Sequence, residues 1–274
     1  MEKSELKPAG VFHFFNEICQ VPRPSKKEEK MIAYLKAFGE KHNLETKVDE
    51  AGNVLIKKPA TPGKENLKTV ILQSHVDMVC EKNNDTDHDF LTDPIETEID
   101  GEWMKAKGTT LGADNGIGVA TELAILADDS IEHGPIECLF TVDEETGLTG
   151  AFALKEGFMS GEILLNLDSE DEGELYIGCA GGIDTVAEFQ YENEMTPISH
   201  LCFRITVKGL KGGHSGGDIH LGRGNANKIL NRFLYQMMTT YQEDFHLYEF
   251  NGGNLRNAIP VSYTHLTLPT TPYV

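Results

Sequence analysis

The sequence has no C-x-x-C pair, no apolar run of membrane-spanning length, no internal repeat and no low-complexity segment, and it is short of basic residues for its acid content. The five cysteines (Cys19, Cys80, Cys138, Cys179, Cys202) are odd in number and unpaired by spacing, which argues against a disulfide framework and predicts reduced, buried thiols in a cytoplasmic protein. Lys and Arg total 24 against 44 Asp and Glu, a formal net charge of -20 that repels nucleic acid and anionic membrane surfaces. The same excess suits a protein that concentrates cations. The first residues, Met-Glu-Lys-Ser-Glu-Leu-Lys-Pro, offer no apolar stretch for a signal peptide.

What is present starts with an apolar run, Thr69 to Val79, that carries His75 and Asp77 at its end. Residues i and i+2 of a strand face the same side, so this pair is expected together where the strand leaves its sheet. Upstream, Val11 to Cys19 reads as a short helix. Ser25 with Glu28 three residues on reads as a capping box opening a second helix through Met31, Tyr34, Leu35 and Phe38. Thr46 to Asp49 and Asn53 to Lys57 read as a hairpin.

Downstream, the glycine-rich turn Gly108 to Gly118 carries Asp114 into a helix running to Ala127. A phosphate-binding loop would end in Gly-Lys-Ser/Thr, and this turn offers a carboxylate instead. Two more apolar strands follow, Ile136 to Val142 and Ile163 to Asp168. The first ends in Asp143-Glu144-Glu145 and the second in Asp168. Ligands of open α/β sheets bind at the carboxyl ends of strands, so these acids are expected at one edge. One histidine among carboxylates, with no thiolate, suits zinc, manganese or cobalt.

From about residue 181 the pattern changes. Asp184 to Tyr191 and Leu201 to Lys208 alternate like antiparallel strands, a helix is expected from about Arg223 to Tyr241, and a strand near Phe245 to Phe250. The predicted fold is α/β, with a mixed sheet flanked by helices in residues 1–181. The first part of a smaller α/β lid or dimerisation domain follows in 182–260, and a tail in 261–274.

The segments Ser-His-Val-Asp-Met-Val, Thr-Leu-Gly-Ala-Asp-Asn-Gly, Val-Asp-Glu-Glu-Thr-Gly, Asn-Leu-Asp-Ser-Glu and Gly-Gly-His-Ser-Gly-Gly-Asp-Ile, in this order, resemble those of the aminoacyl-histidine dipeptidases, cytosolic members of the co-catalytic zinc aminopeptidase-like superfamily. The resemblance implies hydrolysis of dipeptides such as beta-Ala-His and two divalent metal ions, zinc with cobalt or manganese as alternatives. It implies His75 and Asp168 on one metal, Glu145 on the other and Asp114 bridging both. Glu144 is then the general base, Asp77 orients His75, and His214 steadies the oxyanion. Arg223, Asn225 and Asn257 are weaker candidates for holding substrate. The implied partners are a small peptide and, for the full-length protein, a second copy of itself.

The family's last metal-ligating histidine lies near the end of a much longer chain. Residues 262–274 resemble a read-through tail with no strand or helix, and His265 is a poor substitute ligand. The resemblance therefore implies weak or absent activity for these 274 residues alone. A tripeptidase or N-acyl amino acid deacylase on the same scaffold remains a rival reading, and a non-catalytic metal-binding or oligomerisation protein is a rival of another class.

Overall fold

A computed structural model describes residues 6–274 except 84, 170, 180, 182, 184, 196–199, 242–244, 254–257, 261–262 and 271–274, and only the backbone of 263–270. The chain forms two compact units, Met1–Gly181 and Gly182–Val274. Among the described residues no helix is long and apolar enough to cross a membrane.

The first unit is built on a five-stranded mixed sheet. Its strands are β1 (Glu45–Val48), β2 (Val54–Lys58), β3 (Val70–His75), β6 (Ile136–Thr141) and β7 (Ile163–Asn166), in the order β1-β2-β6-β3-β7. The β1–β2 hairpin is antiparallel and β2 runs antiparallel to β6, whereas β3 lies parallel to both β6 and β7. The two-residue alternation of strands sorts the side chains onto two faces. Val54, Ile56, Leu72, Cys138 and Phe140 point to one face, where they meet Phe15 and Ile18 of α1 (Ala9–Ile18), Met31 and Leu35 of α2 (Glu29–Lys41) and Leu123 and Leu126 of α3 (Ala113–Ala127). Leu55, Ile71 and Leu139 point to the other face, against Leu154, Phe158 and Met159. Burying each of these large apolar side chains contributes about 1.5–3 kcal/mol, so both faces hold the sheet. A separate ribbon pairs β4 (Thr97–Asp100) with β5 (Trp103–Ala106), and a short α4 (Thr149–Ala153) follows β6.

The second unit has α5 (Ala226–Tyr241), whose Ala226, Leu230 and Leu234 pack with Phe245. Its three-stranded antiparallel sheet runs β8 (Leu201–Arg204), β10 (Tyr263–Thr270), β9 (Glu249–Gly252).

Several sequence expectations are corrected. Ser25 and Glu28 form no capping box. The helix begins at Glu29 with no side-chain cap, Ser25 donates to Asp77, and Glu28 accepts the backbone N–H groups of Lys26 and Asp143. The expected strand from 184 to 191 has no strand among its described residues. Residues 263–270, expected to be structureless, form the central strand of the small sheet, consistent with the alternation and β propensity of Tyr-Thr-His-Leu-Thr-Leu. None of the five cysteines is in a disulfide, but only Cys19 and Cys138 are buried; Cys80 is half-buried, and Cys179 and Cys202 are exposed.

Candidate metal centre

The three parallel strands of the first sheet end at one edge, and each delivers acids there. At the exit of β3, His75 Nδ1 lies 3.3 Å from Asp77 Oδ1, with His75 1% and Asp77 0% exposed. The other face of the imidazole looks outward: Nε2 lies 3.0 Å from Asp114 Oδ1, 3.5 Å from Asp168 Oδ1 and 3.9 Å from Glu144 Oε2. Asp114 comes from the first turn of α3, where it and Asn115 depart from helical geometry. Asp168 follows β7 by two residues, and Glu144 and Glu145 stand in the turn after β6.

Hydrogen bonds lock this arrangement. Asp77 accepts the backbone N–H of Glu144 through Oδ1 (3.0 Å) and of Glu145 through Oδ2 (3.2 Å), and Oδ2 also accepts the Ser25 hydroxyl (2.8 Å). Asn115, buried beside Asp114, donates to Leu167 O (3.1 Å) and to Asp168 Oδ1. One asparagine thus ties the start of α3 to the β7 exit. Sequence reasoning missed Asn115, Ser25, Glu28 and Arg23; the polar residue next to Asp114 in a glycine-rich turn was the available signal for the first.

The electrostatics describe a site with too much negative charge in too little water. Burial raises the Glu145 carboxyl, and the neighbouring Asp114, Glu144 and Asp77 add to the rise against the opposing pull of His75, leaving it at about 7. Burial likewise raises Glu144, with Asp168, Asp77 and Asp114 adding to it and His75 opposing. For His75 burial disfavours the charged ring, but hydrogen bonds to Asp114, Asp168 and Asp77 prevail and hold it up at about 12. Burial also opposes ionisation of Asp77 and Asp168, yet the hydrogen bonds they accept keep both below the usual range. The proton on His75 stands where a cation would satisfy the same acids.

Two overlapping donor sets meet the spacing a metal ion needs. Atoms of His75, Asp114 and Asp168 lie within 4.8 Å of one another, as do atoms of His75, Glu144 and Glu145. A third acidic group, Glu28, Asp77 and Asp143, is fully buried and differs in kind. There the oxygens already accept backbone N–H groups and the hydroxyls of Ser25, Thr146 and Thr149. That group is internal scaffolding.

Residues 71–224, more than half of the chain, match the profile of peptidase family M20/M25/M40. The chain belongs to that family. Residues 205–264 match the peptidase dimerisation domain. The cytosol non-specific dipeptidase of Escherichia coli (strain K12) is 52% identical over 259 residues, covering 94% of this chain and 53% of the relative. The crystal structure of aminoacylhistidine dipeptidase from Vibrio alginolyticus is 51% identical, superposes with a TM-score of 0.65, and is matched over 99% of this chain and 55% of that one. Aminopeptidase PepT from Bacillus cereus ATCC 10987, 20% identical with a TM-score of 0.51 over 96% of this chain and 66% of its own, shares the fold. The chain spans about half the length of the first two.

For an M20/M25/M40 chain the donor set fits divalent metal: one buried imidazole whose second nitrogen faces an acid, and carboxylates too crowded to coexist unpaired. The remaining candidates lie in the second unit. His214 Nδ1 accepts the backbone N–H groups of Gly216 (3.1 Å) and Gly217 (2.9 Å), which places the ring proton on an exposed Nε2. Arg223 donates to Gly212 O and to Asp218 Oδ2 (2.8 Å), bracing the glycine-rich loop, and Asn225 Oδ1 caps α5 at the N–H of Lys228 (3.1 Å). Asn257 lies outside the described residues.

Proposed function

We propose that the whole protein is a metal-dependent dipeptidase acting on small peptides of the Xaa-His type, with two divalent ions of the zinc class. The observation that carries this reading is the pair of donor sets sharing His75, the second of which includes Glu144, whose Oε2 lies 3.9 Å from His75 Nε2. In this reading His75, Asp114, Asp168 and Glu145 would hold the ions. The chemistry such ions supply when bound is polarisation of a carbonyl and acidification of a water.

The chain's own residues do the rest. Asp77 Oδ1, 3.3 Å from His75 Nδ1, is placed to take up the Nδ1 proton and so to favour the tautomer that leaves Nε2 free to ligate. Glu144 is the general base: it is half-exposed, so it can reach a water, and its raised pKa makes it a better proton acceptor and then a donor to the leaving amine. His214, whose Nδ1 accepts two backbone N–H groups, presents Nε2–H as a donor suited to a developing oxyanion. A cytoplasmic setting and self-association through the dimerisation domain complete the proposal, which has no role for nucleic acid or membrane.

The test uses the complete protein. Glu144→Gln is expected to retain stoichiometric metal by elemental analysis while hydrolysis of beta-Ala-His falls about 10²–10⁴-fold. Unchanged turnover overturns the assignment of the base. Faster cleavage of a tripeptide or an N-acetyl amino acid than of beta-Ala-His overturns the substrate class.

A further inference from the structure

Arg23 is 2% exposed, and its guanidinium is spent on backbone carbonyls. Nη1 donates to Val76 O (3.1 Å) and Asp77 O (3.2 Å), and Nη2 donates to Gly112 O (2.6 Å). The first two carbonyls belong to the turn that carries His75 and Asp77; the third lies two residues before Asp114. Only a planar fork with five donors can span two segments in this way, and a lysine offers a single point. The sequence leaves room for it: a Cβ at Gly112 would stand 2.6 Å from Nη2, and one at Gly116 would stand 2.7 Å from it.

The neighbouring residues extend the contact. Pro24 forms an isolated parallel bridge to Met78, Ser25 donates to Asp77 Oδ2 (2.8 Å), and Glu28 Oε1 accepts the N–H of Asp143 (3.0 Å), next to Glu144. In six residues the segment from Arg23 to Glu28 touches three of the four backbone segments that bear candidate ligands. The fourth, at Asp168, is tied in by Asn115.

We propose that Arg23, with Ser25 and Glu28, is a positioning strap that sets the separation of the His75–Asp77 turn from the Asp114 turn, and so determines how well a metal pair fits. This inference rests on the metal-site reading above. Arg23 touches no reacting atom; it acts through the loops it joins.

The test is cobalt(II) titration of the full chain, read by the visible ligand-field spectrum and by affinity, beside thermal unfolding without metal. Arg23→Lys and Gly116→Ala are the working variants. Gly116→Ala keeps the guanidinium but crowds it, its Cβ standing 2.7 Å from Nη2 and 3.1 Å from a ring carbon of Phe15. Both are expected to weaken cobalt binding about 10- to 100-fold, the usual range for losing an outer partner of a metal ligand, and to alter the spectrum. Arg23→Ala should regain binding when guanidinium ion is added at low, non-denaturing concentration, a rescue that a generally loosened fold would not show. If the parent chain binds cobalt and the variants match its affinity and spectrum, the strap is overturned and the metal reading stands. If the parent chain takes up no cobalt, the metal reading fails and the strap's function fails with it.

Discussion

Glu122 is a carboxyl with nothing to do in the proposed chemistry, and the fold bears it at a cost. It lies on α3, fully buried, and neither of its oxygens has a hydrogen-bond partner of normal geometry. Burial raises its pKa well above the usual range, and the nearby Ser74 and Cys138 offset little of that. A group whose folded pKa is raised loses stability as pH climbs past the ordinary carboxyl value, because the unfolded chain ionises freely and the folded one does not. Glu122→Met is therefore expected to stabilise the chain at pH 7 by about 1–3 kcal/mol, the usual penalty of an unsatisfied buried polar group. The gain should shrink toward pH 4. Urea denaturation at the two pH values checks this, and an equal gain at both would place the effect in packing.

Elements are joined here by acids as much as by apolar faces. Glu137 on β6 pairs with Lys57 on β2 (2.6 Å) and accepts from Ser160 N (2.7 Å), Ser160 Oγ (2.5 Å) and Gly161 N (3.2 Å), which pins the loop before β7. Burial works against its charge, but these partners prevail and hold its carboxyl down at about 2. Its contribution is thus present above the ordinary value of 4.5 and lost as pH falls from there toward about 2. Glu137→Gln should lower the melting temperature at pH 7 and flatten its decline between pH 5 and 2; a parallel curve would remove Glu137 from the acid response. Strands of this kind were legible in the sequence because an apolar run with an acid at its exit is a local signal, as at β3, β6 and β7. The start of α2 was not, because Ser25 and Glu28 have the spacing of a cap but spend their oxygens on Asp77 and Asp143 far along the chain. Arg23 was illegible for the same reason: its partners are carbonyls, which every residue carries. The stretch from 185 to 191 shows the converse, an alternating pattern with no strand to show for it.

At the scale of the whole molecule, a formal charge of -20 sits on a chain that crowds acids at the candidate metal centre. A cation that binds only the folded form stabilises it by mass action, by about 2.7 kcal/mol at a hundred times its dissociation constant. Zinc or cobalt added to the chelator-treated chain should raise the calorimetric melting temperature, and excess chelator should return it; a melting temperature indifferent to both would argue that the acids hold no metal. The chain divides into two compact units at residue 181, and the order of the small sheet was not legible in the sequence. β7 lies at the end of the larger sheet's strand order, paired on one side only among the described residues, and its Ile163, Leu164 and Leu165 are 41%, 48% and 48% exposed. An uncovered, apolar strand edge is a template for another chain's backbone. Light scattering of these 274 residues should therefore show association that grows with protein concentration, and a lysine at Leu164 should suppress it.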